Sequence, residues 1–438
     1  MSVDVAVVGA GIAGLSAARV LTDAGHDVRV LEAREHIGGR MATVRTGGYL
    51  VDTGAEQVAE RGYESTWAFI RALGIDAVPR IGAGISVWRG NRARAGVTRL
   101  SGLCTGAGLA LPARLDLARL LLLSRSGFDP DRPEASPFGE RTLTELGAGR
   151  HRDLTDYLLQ PVAAGFFGWD PAWSAAAPFL ALLAAVGPSS TWRTYRDGMD
   201  TLAGALARGI DVRTSCPVER VVAEPDGVRV LTADGGIQAR AAVLCVPAPV
   251  ALGLHPDVGG PERAFLSACS FTPVVKVSFL LDRPLAPPGR RASVVLVPGV
   301  ADGTVSTIMA DHVKEPGRVP PGAGLVTVMA HPAVVPALLT APDDAVVRRV
   351  GDAAERFVPG LRAATTGTLV HRFRHGLPEA TPAALRLRRG FEDGLGGAVD
   401  YAGDWVQLRP SSEGAVRTGR RAAARVLARL ASQVGSRR

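Results

Sequence analysis

Lysine, cysteine and long apolar runs are all scarce in this sequence, and each shortage excludes something. The four cysteines, Cys104, Cys216, Cys245 and Cys269, are scattered, with no C-x-x-C pair and no histidine cluster nearby. That argues against a metal site and against a disulfide framework, and it fits a reducing cytoplasm. Their plain role is that of small buried hydrophobes. Of 50 basic residues only Lys276 and Lys314 are lysines, which leaves 48 arginines. The arginines run along the whole chain without a basic block or interleaved aromatics, so a nucleic-acid partner is not supported despite the net charge of +8. Base composition of the genome is the plain explanation of that charge; attraction to an acidic substrate or a membrane surface is the sharper one. The longest uncharged run, Pro171 to Trp192, is broken by three prolines. A bilayer helix wants roughly 20 apolar residues without such breaks. The run reads as buried core, with peripheral membrane contact as the alternative. Asp4 inside the first apolar stretch argues against a signal peptide.

What is present is a large apolar inventory, 47% of 438 residues, enough for two or three domains. Val3 to Val8 reads as a strand, Leu15 to Ala24 as an alanine-rich helix and Asp27 to Leu31 as a second strand. Between the first strand and the helix, Gly9, Gly11 and Gly14 form G-x-G-x-x-G. The first glycine permits the tight turn, the second lets a pyrophosphate approach the backbone, and the third lets helix and strand pack closely. The helix N-terminus then offers free N–H groups to the phosphates. Glu32, at the end of the second strand, sits where a carboxylate accepts hydrogen bonds from a ribose diol. This context raises a common glycine turn to a dinucleotide site.

Four further stretches, Ile210 to Thr214, Val218 to Ala223, Gly227 to Thr232 and Ala241 to Val246, read as a strand, a meander and a return strand split by Pro-Asp-Gly and Ala-Asp-Gly-Gly turns. Ala398 to Leu430 reads as strand, loop and long helix. The expected architecture is α/β: a discontinuous Rossmann-type cofactor domain at 1–75, 196–250 and 394–438, with an interleaved mixed-sheet and helical (α+β) substrate domain at 76–195 and 251–393.

The residues after Glu32 narrow the dinucleotide. Glu32-Ala33-Arg34 leads to Gly38-Gly39-Arg40-Met41, and then to Asp52-Thr53-Gly54-Ala55-Glu56. Here the sequence resembles the flavin-containing amine oxidase superfamily, with protoporphyrinogen oxidase, carotenoid-type desaturases and renalase among its relatives. The resemblance implies non-covalent FAD. It places Gly38 and Gly39 close to the flavin system, Arg40 beside the phosphates or ring, and Asp52 and Gly54 at the turn under the isoalloxazine. Gly165 to Pro171, followed by Ser174, resembles a segment of the protoporphyrinogen-oxidase-like branch, and Asp197-Gly198-Met199 resembles the family's G-G-M. Val218 falls where relatives contact adenine through the backbone. Gly403-Asp404-Trp405 and Glu413-Gly414-Ala415 match the C-terminal flavin motif, with Thr418 in place of its serine. That helix would point its N-terminus at the pyrimidine edge of the flavin. No second G-x-G-x-x-G follows a strand, which argues against a separate NAD(P)H site and for oxygen or another acceptor. No cysteine lies in 401–419, so the covalent thioether of some relatives is not expected there.

Lys276 lies in the apolar run Val274-Val275-Lys276-Val277-Ser278-Phe279, where a charge needs a reason. It is either a solvent-facing residue of an alternating strand or a functional cation; in a chain this poor in lysine, a random exposed cation would be arginine. The position also matches the lysine that amine-oxidase relatives place, through a water, near flavin N5. Phe166, Phe167, Trp169, Trp192, Tyr195 and Phe373 are candidate pocket walls, each with core packing as its plain alternative. Trp405, beside the flavin motif, is a candidate reaction-site residue with Lys276. Ser411 and Ser412 stand where relatives that oxidise simple amines often carry an aromatic, which weakens an amine cage. His371 and His375 are candidates for an acidic substrate, or plain surface histidines.

The reading is a cytoplasmic FAD-dependent oxidoreductase, a monomer or homodimer. It removes a hydride from a CH–NH or CH–CH unit of a mostly apolar small molecule, with a role in specialised biosynthesis. Carbon–carbon desaturation is the alternative. A non-enzymatic binding protein like the GDP-dissociation inhibitors is the rival from another class, disfavoured by the intact glycine motifs.

Overall fold

The computed structural model describes residues 2–95, 108–123, 129, 131–289 and 291–435; Cys104 lies outside them. Two seven-stranded sheets carry the chain. In the first, strand Ser2–Val8 has Val5, Ala6 and Val7 wholly buried. Apolar residues on both faces suit a parallel strand covered by helices on each side. It pairs in parallel with Val28–Leu31 on one flank and Gly235–Leu244 on the other. Asp211–Arg213 pairs with Val28–Leu31, and Val399–Tyr401 with Gly235–Leu244, both in parallel. Gly227–Thr232 and Val218–Glu224 finish the sheet antiparallel.

Two sequence expectations change here. The first helix runs Ile12–Asp23, so it starts three residues before Leu15, directly after the extended Gly11. The meander and the return strand are not separate: Gly235–Leu244 is one strand. Its first half pairs antiparallel with Gly227–Thr232 and its second half runs parallel to Ser2–Val8. The glycine pair at 235–236 joins the strand, where the sequence had suggested that it ends the turn.

The second sheet arises from the two blocks expected to form the substrate domain. Its order is Thr365–Glu379, Ser270–Leu281, Gly324–Ala330, Val305–Ala310, Val294–Leu296, Ile85–Trp88 and Ala93–Ala95. Along Ser270–Leu281, Val275, Val277 and Phe279 enter one apolar core, while Val274 and Lys276 line a cavity on the opposite face. This is the period of two expected of a strand between unlike faces. The uncharged run at 171–192 forms the helix Ala176–Val186, with Phe179 and Leu182 in the core. Among the described residues, no helix is long and apolar enough to cross a membrane. The C-terminal helix Ser412–Gly435 lies along Ile12–Asp23, which brings the two ends of the chain to the same place.

Candidate active site

A cavity of about 560 Å3 runs from the glycine turn of the first sheet to the second sheet. At its first-sheet end, Gly9 takes φ +100°, and a Cβ there would stand 2.8 Å from the Cys245 carbonyl oxygen. A Cβ on Gly14 would stand 1.9 Å from the Gly9 carbonyl oxygen, so helix and turn touch backbone to backbone. Gly14 therefore shapes the turn from behind and does not line the cavity, whereas Gly9 and Gly11 do. A Cβ on Gly11 would meet nothing within 4 Å among the described residues. Ile12 and Ala13, in the first helical turn, also line the cavity, and no acidic side chain occupies that turn. Free N–H groups and a positive dipole end therefore face open space, as a pyrophosphate requires. Glu32 accepts hydrogen bonds from the N–H groups of Ala10, at 2.7 Å, and Arg34, at 2.9 Å. It reaches back over the glycine turn with its carboxylate on the cavity wall.

Ala33, Gly38, Gly39, Arg40, Met41, Gly54, Ala55 and Glu56 continue the lining. Arg40 grips Asp404 with two bonds, 2.9 and 2.7 Å, and donates a third to the Gly376 carbonyl at 2.8 Å. This bidentate geometry is the strong form of the pair. It ties together three stretches that are far apart in sequence. The residues present thus fit a flavin dinucleotide: an open glycine cradle, a carboxylate for the ribose, and walls drawn from both the early and the C-terminal motifs. Val218 lies outside the lining, at the start of its strand and two residues beyond Cys216, whose N–H bonds the Glu32 carbonyl at 2.8 Å.

The C-terminal motif divides. Gly403, Asp404, Trp405 and Ala415 line the cavity, as do Ser411 and Ser412. Glu413 does not: it is wholly buried and accepts from the N–H groups of Ser65, at 3.0 Å, and Thr66, at 2.8 Å, and from the Thr66 hydroxyl at 2.8 Å. Its expected contact with the cofactor gives way to capping the helix Glu64–Ala72, whose orphan N–H groups attract a carboxylate. Gly414 also leaves the cavity, because a Cβ there would stand 2.4 Å from the Arg409 carbonyl oxygen. The Thr418 hydroxyl accepts from the Gly403 N–H at 3.0 Å, so the replacement of serine by threonine keeps helix and turn joined. Trp405 donates its indole N–H to the Val246 carbonyl at 3.1 Å and packs against Phe265 and Phe391. With that N–H committed, it is a wall of the site.

At the second-sheet end a buried ionic cluster stands beside the cavity. Lys276, 2% exposed, pairs with Glu56 and donates to the carbonyls of Gly54 at 3.1 Å and Asp52 at 3.3 Å. All three of its protons are taken, so the solvent-facing alternative is excluded. Lys314, equally buried, pairs with the other oxygen of Glu56 and with Asp311 at 2.8 Å. Both lysines of the chain therefore meet on one carboxylate. Asp52 receives Arg318 at 2.9 Å, the Thr43 hydroxyl at 2.7 Å and the Met199 N–H at 2.9 Å. It sits behind the turn, in the cluster and off the cavity. Burial works to lower the Lys314 pKa, but Asp311, Glu56 and Asp52 outweigh it and hold the ammonium above its ordinary value. His371, directly across from Lys276 on the neighbouring strand, is pushed down to about 4 by burial and then by the Lys276 charge, with Glu56 opposing. His375 lines the cavity, and burial and Arg374 lower its pKa as well.

Beyond Lys276 the walls are mainly apolar. Phe166, Phe167, Trp192 and Phe373 line the cavity, joined by Leu182 and Met309. Trp169 and Tyr195, expected there, do not reach it. Trp169 is wholly buried, donates to the Pro378 carbonyl at 3.0 Å and packs behind Phe167 with its ring tilted. Tyr195 is wholly buried and gives its backbone carbonyl to Arg318 at 2.8 Å. Tyr63, which the sequence did not single out, lines the cavity with a phenol pushed up to about 12, chiefly by burial. Lys314, Asp311 and Arg318 were also not singled out. The rarity of lysine was the available signal for the first of them.

The sequence profile described as flavin containing amine oxidoreductase matches residues 12–427. A Mycobacterium tuberculosis protein assigned as a flavin-containing monoamine oxidase, AofH, is 30% identical over 307 residues, covering 65% of this chain and 60% of that protein. The match thus spans under two thirds of that curated relative. Cyclohexylamine oxidase from Brevibacterium oxydans has a TM-score of 0.79 at 19% identity, covering 98% of this chain and 99% of the other. The structure of an Exiguobacterium protein assigned as a protoporphyrinogen oxidase has a TM-score of 0.75 at 19% identity, covering 96% and 98%. At these identities the structures share the fold with this chain. The profile match over nearly all of the sequence decides the family: the chain belongs to the flavin containing amine oxidoreductases, with FAD as its cofactor.

Proposed function

We propose that this protein is an FAD-dependent oxidase or dehydrogenase acting on the CH–NH unit of a mostly apolar amine. The observation that carries the reading is continuity: the dinucleotide cradle opens, without a partition, into an apolar chamber with a buried lysine at the junction. In this reading Gly9, Gly11 and the first turn after Gly11 hold the pyrophosphate. Glu32 holds the ribose diol, and Val218 lies near the adenine. Gly38, Gly39, Arg40, Met41, Gly54 and Ala55 border the ring system, with Gly403, Asp404 and Ala415 closing the other side. The bound flavin supplies the hydride acceptor.

The chain's own part is then orientation and dryness. Phe166, Phe167, Trp192 and Phe373 exclude water and fix the substrate, and Trp405 backs the reacting face. Lys276 stands at the junction, oriented by Glu56 and by the carbonyls of Asp52 and Gly54. The monoamine oxidase and cyclohexylamine oxidase named among the similar proteins favour an amine. Carbon–carbon desaturation is the second reading, favoured by Ser411 and Ser412 in place of a caging aromatic and by the likeness to the Exiguobacterium structure. The test is anaerobic addition of cyclohexylamine, hexylamine or a polyene to the yellow holoenzyme. Bleaching by an amine is expected. Bleaching by the polyene alone moves the assignment to desaturation, and peroxide release on re-aeration separates oxidase from dehydrogenase.

A further inference from the structure

Among the described residues, the cavity wall carries three carboxylates: Glu32, Glu56 and Asp404. None is free. Glu32 accepts two backbone N–H groups at the glycine turn. Asp404 is gripped by Arg40 through both oxygens. Glu56, the one beside the apolar chamber, gives one oxygen to Lys276 and the other to Lys314. A second ammonium entering such a chamber would be stripped of water and would need an anion or an aromatic cage. The aromatic walls Phe166, Phe167 and Trp192 pack on one another, and Ser411 and Ser412 add neither ring nor charge.

The two lysines differ in place. Lys276 lines the cavity, whereas Lys314 does not and approaches Glu56 from behind, out of the short helix Asp311–Lys314. The cluster balances as three cations, Lys276, Lys314 and Arg318, against three carboxylates, Glu56, Asp52 and Asp311. Taking away Lys314 alone would leave one anionic charge in excess, shared by Asp311 and Glu56, in the cluster beside the chamber.

We propose that Lys314 is a charge lock on Glu56: by occupying the second oxygen it denies substrates an anion, so the chamber takes apolar molecules with at most one amine and rejects dications. This rests on the reading of the cavity as a substrate chamber. Lys314 touches neither substrate nor cofactor, so its role is one of positioning and specificity.

The test is anaerobic isothermal titration of the dithionite-reduced holoenzyme, which cannot accept a hydride and so reports binding alone, with hexylamine and with hexamethylenediamine, which adds only a second ammonium. The wild type should bind the diamine about a hundredfold more weakly. Lys314→Met should shrink that ratio about tenfold or more, and Lys314→Arg, which keeps the charge, should preserve it. Wild-type binding of the two ligands within about threefold overturns the proposal, and this arm decides even if Lys314→Met does not fold. A folded, FAD-loaded Lys314→Met with an unchanged ratio also overturns it. If hexylamine neither binds nor bleaches the flavin, the amine reading fails by itself. The lock then still requires that Lys314→Met, and not Lys314→Arg, gain diamine binding; a methionine variant that gains none ends it.

Discussion

The two ends of the cavity are built in opposite ways. The cofactor end is assembled from neighbours in sequence: Gly9, Gly11 and Gly14 in one turn, Glu32 one helix later, Gly38 to Met41 just after. The reaction end is assembled from residues hundreds of positions apart, Asp52 and Glu56 from one early turn, Lys276 from the middle of a strand, and Asp311, Lys314 and Arg318 from a short helical stretch. At the first end backbone shape makes the wall; at the second, charges neutralise one another in the interior. A backbone site should fail by steric contact. A charge cluster should fail by leaving an ion without its partner, which costs more than the pair itself contributes.

The largest effect should come from the backbone end. Gly14→Val places its Cβ 1.9 Å from a carbonyl oxygen, a clash with no flexible side chain to yield. We expect a loss above about 4 kcal/mol and no FAD-loaded folded protein; a yellow, cooperatively melting variant would break the comparison. Next comes Asp52→Ala, which strands Arg318 and weakens the hold on Lys314. Urea unfolding should show a loss of about 3–5 kcal/mol. A value near that of a surface change would mean that the cluster is not a unit.

A smaller effect should appear with pH. His371 normally titrates near 6.5 and is pushed down to about 4 in the folded protein. Between these values the unfolded chain binds more protons, so stability rises with pH across the window and is lost as pH falls through it. His371→Asn should flatten that slope, with a difference of roughly 2–3 kcal/mol between the window's ends. An unchanged slope would assign the acid sensitivity to another group.

The same contrast explains what the sequence could tell. The glycine turn, Glu32 and the G-G-R-M stretch were legible because a turn, a helix start and a strand end have local signatures. Glu413 was misread because its motif gives proximity to the flavin but not direction. Only the packed structure shows that the nearest orphan N–H groups belong to the helix Glu64–Ala72. Trp169 and Tyr195 were misread for a related reason: a bulky aromatic near a site can line it or stand one layer behind, and Trp169 found its acceptor at Pro378. Lys276 was legible as a charge in an apolar strand. Its partners were not, since no local rule connects it to Glu56 or to Lys314. The strand order of the second sheet was hidden because its strands are contributed out of sequence order, with Ile85–Trp88 beside Val294–Leu296.

The most direct measurement is stopped-flow absorbance of Lys276→Met, following flavin reduction by an amine without oxygen and reoxidation on mixing with oxygen. The variant should keep its FAD, since the glycine turn, Glu32 and Arg40 are untouched, and one of the two half-reactions should slow by about tenfold or more, roughly 1.4 kcal/mol of barrier. Normal rates in both half-reactions, with normal FAD content, would contradict a reacting role for the buried lysine and leave the cluster as structure alone.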